Sequence, residues 1–293
     1  MLAIAFWNIG KRQPASCAAP TLAADIAADP DLAGPLGEVI LCLDEPGSAD
    51  INRLAQETQA LSSNHVWRSV QSSDSRFIYL TNISPSNIDE RNEQVGCWPI
   101  RLNRSSTNGP RAYNLWFVHL ESPVSKWNPF LTNTGAATDL RLACEAMENS
   151  APLVTDSILI GDFNMDPYNL AMLDPRGMNA MMCRNLATKK ATRWFGRPKR
   201  PYKGFYNPMW NLLGDRSTDK QPGSFYKGND KTDAAIWHAI DQVLVRPTLI
   251  PQISAKSPKL LTQIGSSSLL SKSGIISGKG ISDHLPVLIT LNI

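Results

Sequence analysis

Seven short apolar runs constrain what this chain can become: residues 2–7, 38–43, 76–81, 112–119, 156–161, 240–246 and 285–291. Each has the length of a strand, is rich in Val, Ile, Leu and aromatics, and is bounded by Gly, Pro, Asn or Asp. Helical candidates lie between them, near 21–28, 48–61 and 134–149. Ser48 reads as the N-cap of the second, and Thr132 or Asn133 as that of the third. Continuous apolar strands imply sheets buried on both faces, and the alternation with helices predicts an α/β protein. No repeat at a solenoid period and no composition shift divides the chain, so a single domain over residues 1–293 is expected. The Ser-, Lys- and Gly-rich stretch 255–282 reads as a long surface loop or a weak strand pair.

Composition narrows the class further. A hydrophobic content of 42% with 19% charged residues excludes a disordered chain, and no apolar run approaches a membrane span. The start, Met1-Leu2-Ala3-Ile4-Ala5-Phe6-Trp7-Asn8, lacks a basic leader and reads as a first strand. Five scattered cysteines without a CxxC pair (Cys17, Cys42, Cys97, Cys144 and Cys183) read as buried reduced thiols. The expectation is a cytoplasmic protein with no membrane association and no obligate protein partner.

The net charge of +3 conceals a lopsided distribution. Residues 1–100 carry twelve acids and six bases, whereas residues 176–203 carry nine bases and no acid. Among those bases are Lys189, Lys190, Arg193, Arg197, Lys199, Arg200 and Lys203, interleaved with Trp194, Phe195 and Tyr202. A solvated basic loop has this composition, and so does a segment that grips a phosphate backbone and stacks on bases.

Polar residues able to bind metal or move a proton stand at the ends of the strands. They occur in Trp7-Asn8, Leu43-Asp44-Glu45, His119, Gly161-Asp162-Phe163-Asn164, Ile240-Asp241-Gln242 and Ser282-Asp283-His284-Leu285-Pro286-Val287. Strand ends converge at sheet edges, so these groups are expected to share one cleft. Each alone has a bland reading, since Asp, Asn and Ser form turns after strands. The full ordered set does not.

In that order, from residue 7 to residue 287, the set resembles the endonuclease/exonuclease/phosphatase superfamily, the deoxyribonuclease-I-like fold. The resemblance implies a four-layer α/β sandwich of two mixed β-sheets packed face to face and flanked by helices. It also implies metal-dependent phosphoester cleavage. By the same resemblance Glu45 is the principal metal ligand, with Asn8 beside it and Asp283 toward the metal or its waters, and hard oxygen donors suit Mg²⁺ or Mn²⁺. Asp162 is the expected general base for the attacking water, and Asn164 would orient that water or the phosphate. His284, held by Asp241, would stabilise the transition state, and His119 would touch the leaving-group side. Two positions depart from the family pattern: Asp44 stands where Gln is common, and Gln242 where an aromatic often follows Asp241. Asp166 with Pro167 reads as the start of a helix. The basic segment favours a nuclease acting on DNA or RNA. The alternatives are a phosphomonoesterase on a small phosphorylated substrate and an inactive nucleic-acid-binding member.

Overall fold

In the computed structural model, residues 1–11, 13–34, 36–106, 109–122, 129–150, 155–213, 221–228, 233–276 and 281–293 are described. The chain divides into two compact units interleaved in sequence. The first comprises Met1–Pro85, Leu212–Asp241 and Ile253–Ile293, and the second Ser86–Asn211 and Gln242–Gln252.

The first unit is built on a six-stranded sheet. Its core strands are β1 (Leu2–Asn8) and β2 (Glu38–Asp44), which run parallel in register from Leu2↔Glu38 to Asn8↔Asp44. The C-terminal strand Val287–Leu291 lies antiparallel on the other side of β1, with Phe6 opposite Val287. β3 (Arg68–Gln71) and β4 (Phe77–Thr81) extend the sheet beyond β2. Every residue of β1 is buried, as its unbroken apolar run requires. Ala3, Ala5 and Trp7 join Leu22, Ala23 and Ile26 of helix α1 (Gln13–Ala28) in one apolar cluster. Short helix α2 (Pro30–Ala33) and helix α3 (Ile51–Leu61) complete this layer.

The second unit carries a seven-stranded sheet. β5 (Ile88–Glu90), β6 (Cys97–Ser106) and β7 (Gly109–His119) form an antiparallel meander, and β8 (Thr155–Asp162) adds parallel to β7. Strands Asp241–Val245, Phe205–Tyr206 and Ala180–Met181 complete the sheet. Helix α4 (Pro129–Asn149) packs Ala137, Leu140 and Cys144 into a core with Trp116, Leu159 and Phe205. No helix among the described residues is long and apolar enough to cross a membrane.

The seven expected strands are present, with ends shifted by up to three residues. Several local expectations are corrected. α1 starts eight residues before the expected 21, because the chain stays helical through Pro20. Asp50, not Ser48, caps α3, its carboxylate accepting the Arg53 N–H at 3.2 Å. α4 begins at Pro129, so Thr132 and Asn133 lie inside it. Asp166 closes a turn by accepting the Asn169 N–H at 2.9 Å, and Asn169 caps the short helix Leu170–Leu173. β6 was not expected because Pro99, Arg101 and Asn103 break an apolar reading.

In the stretch 255–282, Lys259–Leu260 pairs with the C-terminal strand, Gln263–Ile264 pairs with Ser267–Ser268, and Ile264, Leu269 and Ile276 are buried in the first core. Residues 277–280 lie outside the described set. Cys42, Cys97 and Cys144 are buried reduced thiols, and burial pushes the Cys42 and Cys144 thiols up. Cys183 is exposed, contrary to expectation, at the N-cap of the helix Arg184–Lys189. The Cys17 side chain lies outside the described set.

Candidate active site

The topology of the first unit gathers its polar strand ends at one sheet edge. β1 and β2 are parallel, so Asn8 and Asp44 end together, and Glu45 follows immediately. The C-terminal strand is antiparallel to β1, so its leading residues Asp283 and His284 arrive at that same edge. Ser282 fastens the join: its Oγ donates to the Asn8 carbonyl at 2.7 Å and accepts the His284 N–H at 2.9 Å. Trp7 adds a bond from Nε1 to the His284 carbonyl at 3.0 Å. The Asn8 Oδ1 accepts the Gly10 N–H at 3.0 Å, which turns the chain out of β1.

Glu45 leaves β2 in the left-handed conformation, with φ 50. Its backbone is pinned on both sides, by Glu45 N–H to the Arg76 carbonyl at 2.9 Å and Lys11 N–H to the Glu45 carbonyl at 2.7 Å. A non-glycine residue held in this region is a strain that surrounding structure must impose. Asp44 is wholly buried, whereas Glu45 and Asp283 are half-buried.

The imidazole of His284 has a fixed orientation. Its Nδ1 donates to Asp241 Oδ2 at 2.8 Å, and both side chains are nine-tenths or more buried. That bond fixes Nδ1 as the protonated nitrogen facing the carboxylate. The Asp241 N–H in turn donates to Ser224 Oγ at 3.0 Å. Ser224 belongs to a strip, Gly223–Tyr226, that locks the histidine from the side. Leu285 N–H donates to the Ser224 carbonyl at 2.7 Å, and Ser224 N–H donates to the His238 carbonyl at 2.9 Å. The ring of Phe225 lies 4.7 Å from the His284 ring. Gly223 is required here, since a Cβ would stand 2.5 Å from the His238 carbonyl oxygen. Phe225 and Tyr226 pair in a hairpin with Trp237–His238. His238 is held by Asp233 at 2.8 Å, and His65 packs on Trp67. Lys227 first, then the Ala235 N–H and His238, hold the Asp233 carboxyl down to about 2.

The second unit brings His119, Asp162 and Asn164 together. β7 and β8 end in register, His119 opposite Asp162. Gly161 has φ +155, and a Cβ there would fall 2.0 Å from the Val118 carbonyl oxygen, so the glycine of "GDFN" is a steric requirement. Asp162 is buried and accepts the Asn164 N–H on Oδ1 at 2.8 Å. Asn164 lies in the left-handed region, with φ 51, and donates Nδ2 to the Leu120 carbonyl at 2.7 Å. The pair is thus a tight turn whose Asn is aligned by β7. Gln242, out of pattern in the sequence, donates to the Met165 carbonyl and accepts from Asn207 Nδ2 at 2.7 Å, bracing the "GDFNM" turn from behind.

Ser224, Gln242 and Asn207 are the supporting residues that sequence reasoning missed. Ser and Gln in short irregular segments carry no local signal. Seven of the nine cations of the basic segment lie at the end of the helix Arg184–Lys189, at Lys190, and on the hairpin of Thr192–Phe195 with Arg200–Lys203 and its turn. Trp194 is 65% exposed on that hairpin, while Lys203 leans on Glu148 at 3.3 Å.

The residues that the resemblance assigns to the cation stand at one sheet edge of the first unit. Asn8, Glu45 and Asp283 offer only oxygens at one edge, the hard donors Mg²⁺ and Mn²⁺ take. Asp241 Oδ1 is buried without a hydrogen-bond partner among the described residues, an acceptor left over for a cation, a bound water or a substrate proton.

No family model and no curated protein matches this sequence. Solved structures do. An endonuclease/exonuclease/phosphatase family protein from Leptotrichia buccalis C-1013-b superposes with a TM-score of 0.54 at 11% identity, covering 100% of both chains. A humanized TDP2 from D. rerio gives 0.51 at 16% identity over 100% of this chain and 99% of that one. The mannosyl-6-phosphatase Bt3783 of Bacteroides thetaiotaomicron VPI-5482 gives 0.51 at 13% identity over 100% of both. Two large mixed sheets with their helices, matched end to end in this way, give the chain the α/β-sandwich fold of the endonuclease/exonuclease/phosphatase superfamily.

Proposed function

We propose that this protein is a divalent-metal-dependent phosphodiesterase that hydrolyses nucleic-acid phosphodiester bonds. The observation that carries the reading is the buried Asp241–His284 pair at 2.8 Å, fastened beside the oxygen donors Asn8, Glu45 and Asp283. Those three residues would hold Mg²⁺ or Mn²⁺, which when bound supplies positive charge to the phosphate oxygens. Asp162 takes a proton from the attacking water, and Asn164, aligned by the Leu120 carbonyl, orients that water. His284 presents Nε2 to a non-bridging oxygen while Asp241 keeps its tautomer. His119 serves the leaving group. The exposed basic hairpin supports a polyanionic substrate, with Lys189, Lys190, Arg193, Arg197, Lys199, Arg200 and Lys203 on the backbone and Trp194 on a base.

The resemblance in fold to a mannosyl-6-phosphatase supports a second reading, a phosphomonoesterase of small esters. One experiment separates them. The protein and its Asp162→Ala variant are incubated with plasmid, single-stranded DNA, RNA, an abasic duplex and small phosphate esters, with Mg²⁺, Mn²⁺ or EDTA. Metal-dependent nicking or shortening of nucleic acid by the wild type alone supports the nuclease. Phosphate release from small esters with nucleic acids intact moves the assignment to the phosphatase, and binding without turnover removes both.

A further inference from the structure

In the second unit, a groove of about 550 Å³ opens between the β5–β6 edge and the last turns of α4. Its walls differ in character. Ala143, Ala146 and Met147 make one side, and Arg91, Gln94 and Arg101 the other. Arg101 projects from β6 and donates Nε to Asn114 Oδ1 at 3.2 Å. Among the described residues no acceptor meets its two terminal nitrogens. Asn114, opposite Arg101 in the β6–β7 register, is fully buried, and its Nδ2 is a donor without an acceptor. Arg91 stands nearby, paired with Asp89. Burial first, and the Arg91 charge second, pull the Arg101 guanidinium below its ordinary value.

Two like charges share a concavity, with Asp89 paired to Arg91 and opposite Arg101 in the β5–β6 register. Arg101 is half-buried, and its terminal nitrogens are left to solvent or a ligand. An oxyanion accepting from the Arg101 fork would take up those donors, since guanidinium geometry matches phosphate in a bidentate pair. The groove exceeds the size of a bare anion, and its α4 side is apolar at Ala143, Ala146 and Met147 with Ser150 at its end, so the ligand carries a largely apolar body. We propose that this groove is a binding site for a small phosphate monoester, its phosphate on Arg101 and Arg91 and its body against Ala143, Ala146 and Met147. No residue assigned to catalysis lines it, so the site stands whether or not the phosphodiesterase reading does.

Calorimetric titration with inorganic phosphate, with phenylphosphonate (a monoester mimic that cannot be hydrolysed) and with neutral phenol tests it. Phenylphosphonate binds saturably and tighter than phosphate, and phenol does not bind. Arg101→Gln weakens phenylphosphonate about 10- to 100-fold, the loss expected for a charge-assisted pair. Ala146→Trp, which fills an exposed position on the apolar wall without touching a charge, abolishes binding while circular dichroism stays unchanged. The same titration on Asp162→Ala gives the wild-type affinity. Failure of either phosphate probe to saturate overturns the site, as does binding indifferent to both groove variants or binding lost with Asp162. Equal affinity for phosphate and phenylphosphonate overturns the apolar half.

Discussion

At the scale of single residues, the proposed chemistry rests on groups whose freedom has been removed. His284 has one ring nitrogen bonded to Asp241, a ring packed at a tilt against Phe225, and backbone bonds through Ser282 and Trp7. Asp241→Asn keeps the shape but offers an amide where an acceptor is needed, so kcat falls about 10²- to 10⁴-fold with KM little changed. Steady-state kinetics on a small ester and on an oligonucleotide check this, and an unchanged kcat removes His284 from the mechanism. Ser224→Ala acts one bond further out. It leaves the buried Asp241 N–H without its acceptor, costing about 1–3 kcal/mol in urea unfolding and lowering kcat more than it raises KM. Gly161 is constrained differently. A methyl group there meets the Val118 carbonyl at 2.0 Å in a backbone region closed to side chains. Gly161→Ala therefore destabilises by about 3 kcal/mol or more, visible as a lowered urea midpoint at constant slope.

At the scale of elements, caps and junctions decide where sequence legibility ends. Asp50→Ala removes the N-cap of α3 and costs about 1 kcal/mol, more than Ser48→Ala costs. The reverse result would restore Ser48 as the cap. In the sequence both Ser48 and Asp50 precede the helix, and either side chain can cap it. Only the path of the backbone selects one. The same limit hid β6, whose Pro99 and Arg101 read as loop residues until ten consecutive pairings with β7 hold them in a sheet. It also hid the buried Glu148–Arg246 pair at 2.6 Å, which ties α4 to the residue after the strand Asp241–Val245 across ninety-eight positions. By contrast, β1, β2, β8 and the C-terminal strand were readable at once. A strand buried on both faces must be apolar throughout, and a polar residue closing such a run has few structural reasons to be there. Asn8, Glu45, Asp162 and His284 were visible for that reason. Ser224 and Gln242 were not, because their value comes from partners distant in sequence.

At the scale of the whole molecule, the distribution of charge carries a prediction that composition alone does not. A net charge of +3 implies weak attraction to a polyanion, yet the eight cations between Arg184 and Lys203 stand in a segment without one acid. If that segment grips the phosphate backbone, affinity depends steeply on salt, because each neutralised phosphate releases counterions. With about six contacts made, binding of an oligonucleotide weakens on the order of 10³-fold between 50 and 200 mM salt. Lys199→Ala with Arg200→Ala lowers the slope of log K against log salt by about two, one unit for each lost contact. Turnover of a small phosphate ester is untouched by the pair, since neither residue serves the chemistry. Trp194→Ala has a different signature: it weakens binding at every salt concentration and leaves the slope in place, because stacking releases no counterions. Filter binding or anisotropy across a salt series separates the two. A slope that ignores Lys199 and Arg200 reduces the segment to a solvated loop, and the substrate would then be chosen at the sheet edges alone.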